Sequence, residues 1–246
     1  MRQIITIALI ALASCLSNRP TTIYLAGDST MANKPVEDNP ERGWGQLLPK
    51  FFDASVVVEN HARNGRSTKS FIDEGRWDSL ICNVKKGDYV FIQFGHNDSK
   101  KEDPKRYADP YITYRNNLIR FVEDCRRKRA KPILITPVVR RRFDENGNFY
   151  DVHGDYLIVV KEVAETYRVP LIDLNAKSAK LVSDYGPERS KELYLHIAPG
   201  VYKSLPDGKR DDTHFSELGA TKIAGLVVEG IIELDIDLVK HLNTRQ

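Results

Sequence analysis

A serine, an acid and a histidine occur along this chain in an order that can split an ester. Ser29 lies in Gly27-Asp28-Ser29-Thr30, directly after the apolar run Ile23 to Ala26, and "RDDTHFSELGA" from Arg210 to Ala220 brings acids and a histidine together. A serine hydroxyl is a weak nucleophile until a base takes its proton. With Asp211 and His214 three residues apart on a tight loop, the carboxylate can orient one imidazole nitrogen while the other faces Ser29. That is a triad in the chain order Ser, Asp, His. Asp212 is the rival for the acid's place, because spacing alone excludes neither.

Acyl transfer puts negative charge on the carbonyl oxygen, so donors must await it. The backbone N–H groups of Ser29 and Gly65 and the side-chain amide of Asn97 are suited to that oxyanion hole. Glycine at 65 also lets the backbone approach closely, having no Cβ. His96 adjoins Asn97 and is placed to hold its loop. His61, His153 and His196 have no metal-ligand spacing with one another, and the expected chemistry needs neither a metal nor a cofactor.

These residues need a scaffold that gathers them. Nearly continuous apolar runs predict strands at Thr22 to Ala26, Val56 to Asn60, Tyr89 to Phe94, Pro132 to Thr136 and Val169 to Ile172, the pattern of strands buried on both faces. Helical patterns lie between them, at Trp44 to Phe52, Thr68 to Ile81, from Asp109-Pro110 onward, at Tyr156 to Tyr167 and at Ser216 to Leu234. The helix beginning at Asp109 should bury Tyr111, Tyr114, Leu118, Phe121 and Cys125. Trp44 and Trp77 fall on helices, where they read as core, although an exposed one could stack on a sugar.

Alternating strands and helices predict an α/β fold, a three-layer α/β/α sandwich with a five-stranded parallel sheet in the flavodoxin-like order 2-1-3-4-5. In such sheets, sites form beyond the carboxyl ends of the strands. Ser29, Gly65 and Asn97 follow the first three strands and should meet in one crevice. The stretch from Asp173 to Arg210 reads as a long approach to the last helix.

The chain has 246 residues and a formal net charge of +3, which suits one globular domain, is too mild to imply nucleic acid, and is compatible with a polyanionic substrate. Met1-Arg2-Gln3, an apolar run from Ile4 to Ala13 and small residues before Cys15 describe an export signal too short to span a membrane. The pattern resembles a bacterial lipoprotein signal, with residues 1–15 as signal segment, Cys15 as the lipidated residue and 16–246 as one domain. It implies a membrane anchor and a place in the periplasm, on the outer membrane or at the cell surface. Cys82 and Cys125 remain as a disulfide pair or as buried free thiols.

"GDST" (Gly27 to Thr30), "NGRST" (Asn64 to Thr68), "GHND" (Gly95 to Asp98) and "DDTH" (Asp211 to His214) resemble the four blocks of the GDSL/SGNH hydrolases. The resemblance implies Ser29 as nucleophile, His214 as base, Asp211 as its support, and Gly65 and Asn97 as oxyanion donors. "GRSTKSFIDEGRW" (Gly65 to Trp77), "TPVVRRRFDENGN" (Thr136 to Asn148) and "HGDY" (His153 to Tyr156) are similar to the rhamnogalacturonan acetylesterase group. That likeness implies removal of acetyl esters from pectin, with an acetylated polysaccharide as partner. Arg140, Arg141 and Arg142 follow the fourth strand, and a guanidinium fork suits a uronate carboxylate. The alternatives are an esterase on another acetylated glycan such as xylan, a lipid esterase or lysophospholipase, and a glycan-binding protein without the chemistry. The loops His96 to Pro110 and Arg140 to Asp151 are too polar to favour an acyl groove.

Overall fold

A computed structural model describes residues 19–243; Cys15 and the expected signal segment, residues 1–15, lie outside the described residues. The first half of the chain alternates β1 (Thr21–Gly27), α1 (Trp44–Leu47), β2 (Val56–Asn60), α2 (Thr68–Asp73), α3 (Arg76–Asn83) and β3 (Tyr89–Gln93). It continues with α4 (Arg115–Arg127), β4 (Lys131–Ile135), α5 (Asp155–Thr166) and the short β5 (Leu171–Ile172). These five strands are parallel and ordered β2-β1-β3-β4-β5, the expected order.

Strand periodicity explains the three layers. Successive side chains point to opposite faces. Ile23, Leu25, Tyr89, Phe91, Ile133 and Ile135 pack into one core with Trp44 and with Val227 and Ile231 of the last helix. Their neighbours Tyr24, Ala26, Val90, Ile92 and Leu134 pack on the other side against Phe71, Trp77, Phe121 and Val160. Both tryptophans are fully buried, their indole N–H groups donating to Gln93 and Asp124, so neither is available to a sugar.

Several elements differ from the sequence expectation. Helix 44–52 gives way after Leu47 to a 3-10 turn, Leu48–Phe51, that contains Pro49. The single helix expected over Thr68 to Ile81 is broken at Gly75, which adopts φ +68° and starts α3. A wide π turn, Pro110–Tyr114, closed by Tyr114 N–H donating to Asp109 O at 2.8 Å, precedes α4. The extra residue in that turn rotates Tyr111 out of the stripe, leaving it 50% exposed while Tyr114, Leu118, Phe121 and Cys125 are buried. Cys82 is exposed rather than buried, and both thiols are free.

The largest departure is between Asp173 and Phe215. It forms α6 (Leu174–Arg189), capped by Asp173 and kinked at Gly186, and then an antiparallel pair, β6 (Tyr194–Ile197) and β7 (Lys209–Phe215). The long helix α7 (Glu217–Glu233) follows, with Ser216 as its cap. A Cβ on Gly219 would stand 1.8 Å from Leu193 O, so α7 can sit this close to the approach to β6 only with glycine there. Asp211 and His214 therefore belong to a strand of a second small sheet and not to a free loop.

Candidate active site

The Ser29 position is built by β1 and the turn that ends it. Asp28 accepts from the Thr30 N–H at 2.9 Å and the Thr30 hydroxyl at 2.8 Å, while Ala32 N–H returns to Asp28 O at 3.1 Å. This fixes Ser29 at the rim of the sheet, where it is 8% exposed.

His214 reaches it from β7. Its Nε2 lies 2.9 Å from Ser29 Oγ, and its Nδ1 lies 2.8 Å from Asp211 Oδ2. Residues three apart in a regular strand face opposite ways. Here the pairing jumps from Leu195↔Asp211 to Tyr194↔Phe215, so residues 212–214 bulge out and turn the two side chains towards each other. The Asp211 Oδ1 accepts from the N–H groups of Thr213 at 2.8 Å and His214 at 3.0 Å. Burial pushes this carboxyl up, but the hydrogen bond and charge of His214 and the two backbone N–H groups hold it well below the usual carboxylate range.

Asp212 points elsewhere. Its carboxylate takes Arg141 Nη1 at 2.8 Å and lies 2.8 Å from His196 Nε2, with Arg142 Nη1 at 3.7 Å. The structure thus separates the two acids that spacing could not. It also assigns the arginine run: Arg141 is engaged by Asp212, Ser190 and Pro187 O, and Arg140 donates to Thr213 Oγ1 at 2.9 Å and His96 O at 3.2 Å. Two of the three guanidinium groups brace β7 against the β3 and β4 loops, and Arg142 alone is exposed.

The loops after β2 and β3 meet beside this turn. Arg63 N–H donates to Gly27 O at 3.0 Å, holding the Gly65 loop against the end of β1. Gly65 has φ +75°, and a Cβ there would meet nothing nearer than Arg106 Nη1 at 3.7 Å, so the conformation and not crowding calls for glycine. Asn97 Nδ2 donates to Arg66 O at 3.1 Å and Arg106 Nη1 donates to Asn97 Oδ1 at 3.5 Å, which fixes the amide's orientation. An amide nitrogen carries two hydrogens, so one remains for a ligand. Neither Ser29 N–H nor Gly65 N–H donates to a backbone carbonyl among the described residues.

Behind these groups lies a buried polar layer that spacing did not reveal. His96 Nδ1 sits 3.1 Å from Asp28 Oδ2; burial pushes His96 down to about 4, so at neutral pH the imidazole is uncharged and its N–H donates to the carboxylate. Burial pushes Asp28 up, yet His96 and Thr30 hold it at about 2. Asp98 Oδ1 takes both the N–H (2.9 Å) and the hydroxyl (2.6 Å) of Thr68, tying the Asn97 loop to the start of α2. His153 stacks edge-on against His96 with centroids 4.8 Å apart, and its Nδ1 lies 2.7 Å from Asp151 Oδ1. Among the described residues no three His, Cys, Asp or Glu side chains form a group able to hold a metal ion.

Comparison with known proteins agrees with this geometry. The GDSL-like lipase/acylhydrolase family matches residues 25–222. The chain is 44% identical to the rhamnogalacturonan acetylesterase RhgT of Bacillus subtilis, over 94% of this chain and 98% of that one. It is 43% identical to a rhamnogalacturonan acetylesterase of Emericella nidulans, over 92% and 91% of the two chains. The crystal structure of YxiM from Bacillus subtilis superposes with a TM-score of 0.76 at 28% identity, covering 89% of this chain and 58% of that longer one. With its four sequence blocks, its parallel sheet and these relatives, the chain belongs to the GDSL-like lipase/acylhydrolase family.

Proposed function

We propose that this protein is a serine O-acetylesterase that removes acetyl groups from acetylated rhamnogalacturonan. The observation that carries the chemistry is the unbroken chain from Ser29 Oγ through His214 to Asp211, at 2.9 and 2.8 Å. The substrate rests on the two rhamnogalacturonan acetylesterases to which the chain is 44% and 43% identical over nearly its whole length.

In this reading, Ser29 Oγ attacks the acetyl carbonyl carbon as its proton passes to His214 Nε2. Asp211 accepts from Nδ1–H and stabilises the imidazolium that forms. The negative oxygen of the tetrahedral intermediate is held by the N–H groups of Ser29 and Gly65 and by Asn97 Nδ2. Its collapse breaks the bond to the sugar oxygen, which takes the proton from His214 and leaves. Water then gives a proton to His214 and attacks the acetyl-enzyme; acetate departs and Ser29 regains its proton.

The test is acetate release by the purified protein from acetylated rhamnogalacturonan, with acetylated xylan and a long-chain ester in parallel. Ser29→Ala should lower kcat by about 10⁴-fold or more with folding unchanged. Equal turnover by that variant would overturn the nucleophile; a preference for xylan or the long-chain ester would move the substrate.

The anchor belongs to the same proposal: Cys15 is lipidated and tethers the enzyme to a membrane outside the cytoplasm. The basic start, the apolar run and the small residues before Cys15 support it. Incorporation of a fatty-acid label that Cys15→Ser abolishes would be the expected result, and equal labelling of the variant would refute it.

A further inference from the structure

A groove of about 880 Å³ opens along the β6–β7 pair, and Lys209 of its lining reaches the acid of the triad. Lys191, His196, Lys209 and Arg210 line it, with Asp207 as the acidic residue among the lining groups. Its floor is the connection between the strands, where Ile197, Ala198 and Gly208 present small, largely apolar surface. The connection is braced: Gly200 N–H donates to Pro206 O at 2.9 Å, and the N–H groups of Lys203 and Ser204 donate to Asp38 at 3.0 and 2.6 Å. The groove is thus formed before any ligand arrives.

The cations differ in what already occupies them. His196 is committed to Asp212 at 2.8 Å. Lys209 Nζ lies 3.3 Å from Asp211 Oδ2, joining the groove to the triad. Among the described residues Lys191 pairs only with the highly exposed Glu188, at 2.7 Å. Arg210 is exposed and makes no ion pair or side-chain hydrogen bond among the described residues. A guanidinium fork left open in a preformed groove, with an ammonium group on the same lining, fits a planar carboxylate carried on a ring.

We propose that this groove is an anionic-sugar subsite that takes the carboxylates of uronate units neighbouring the acetylated residue, with Arg210 and Lys191 as the contacting groups. The inference rests on the esterase reading of Ser29 and His214 and deepens it. It also moves uronate recognition from Arg140 and Arg141, whose guanidinium groups hold the protein together, to the β6–β7 pair. Arg210 and Asp211 are successive residues of β7 and face opposite ways, so the groove meets the triad through Lys209 and not through Arg210.

The test uses the double variant Lys191→Gln, Arg210→Gln. Its KM for acetylated rhamnogalacturonan should rise about tenfold, the worth of one charge-assisted hydrogen bond, with kcat little changed. Turnover of p-nitrophenyl acetate and KM for neutral acetylated xylan should stay as in the parent, which also shows that the variant is folded. An unchanged KM on the pectic polymer, or an equal rise on xylan, would overturn the subsite. Calorimetric titration of Ser29→Ala, with and without the double substitution, by deacetylated rhamnogalacturonan oligosaccharide separates the two readings. If the wild type releases no acetate from the polymer but oligosaccharide binding still depends on Arg210 and Lys191, the groove stands and the hydrolytic assignment falls.

Discussion

Arg141 donates to Asp212 at 2.8 Å, and this contact, with His196 on the same carboxylate, takes Asp212 out of competition for His214. The two adjacent acids should therefore respond differently to amidation. Asp211→Asn should lower kcat by about 10⁴-fold, because the imidazole loses the acceptor that sets its tautomer and stabilises its charge. Asp212→Asn should leave kcat nearly unchanged but cost about 1–3 kcal/mol of stability by stripping Arg141 of its charged partner. Turnover of p-nitrophenyl acetate and urea unfolding of both variants check this.

Asn97→Ala removes a side-chain donor held in place by Arg66 O and Arg106. The expected effect is a fall of about 10²–10³ in kcat with little change in KM, since the donor acts on the charge of the intermediate. A change confined to KM would contradict the assignment.

Gly65→Ala forces a Cβ onto a residue at φ +75°. The strain costs about 1–2 kcal/mol, and because the nearest neighbour is 3.7 Å away no clash adds to it. Thermal unfolding should show the loss, and kcat should fall with it as the N–H is displaced.

His96 and Asp98 carry opposite pH dependences. Burial pushes His96 down to about 4, so between that value and 6.5 the unfolded chain binds a proton that the folded protein does not, and stability rises with pH. Burial pushes Asp98 up to about 7, so from 3.8 to that value the folded protein holds the extra proton, and stability falls as pH rises. Asp28, Asp151 and Asp211, all held low, lose their contribution only on acidification below about pH 4. The His96 and Asp98 slopes oppose each other, and the parent should be nearly flat from about pH 4.5 to 6.5. Asp98→Asn unmasks His96: its stability should climb by on the order of 2 kcal/mol across that window. Urea midpoints at both ends measure it, and a flat variant would contradict the opposing slopes.

Of the two described thiols, Cys82 is exposed, whereas burial pushes Cys125 up to about 12. Iodoacetamide should label Cys82 in the native protein and reach Cys125 only after unfolding. Peptide mass mapping reads both sites, and equal labelling in the native state would contradict the burial.

The five parallel strands and the residues at their ends were legible in the sequence because strands buried on both faces must be apolar throughout, and each such run ends where a polar turn begins. Ser29, Gly65 and Asn97 stand beside such ends. The β6–β7 pair left no such trace: Lys209 to His214 is charged or polar at every position and is held by ion pairs and by α7 rather than by a buried face. Tyr111 was misplaced because one π turn shifts a helical phase that composition does not encode. The choice between Asp211 and Asp212, and the roles of Arg140 and Arg141, also came only with the tertiary structure. The sequence by itself determined which residues could do the chemistry and in what order along the sheet. Which carboxylate faces the imidazole depends on a bulge in strand pairing and on an arginine 71 residues away, and such contacts exist only once the chain has folded.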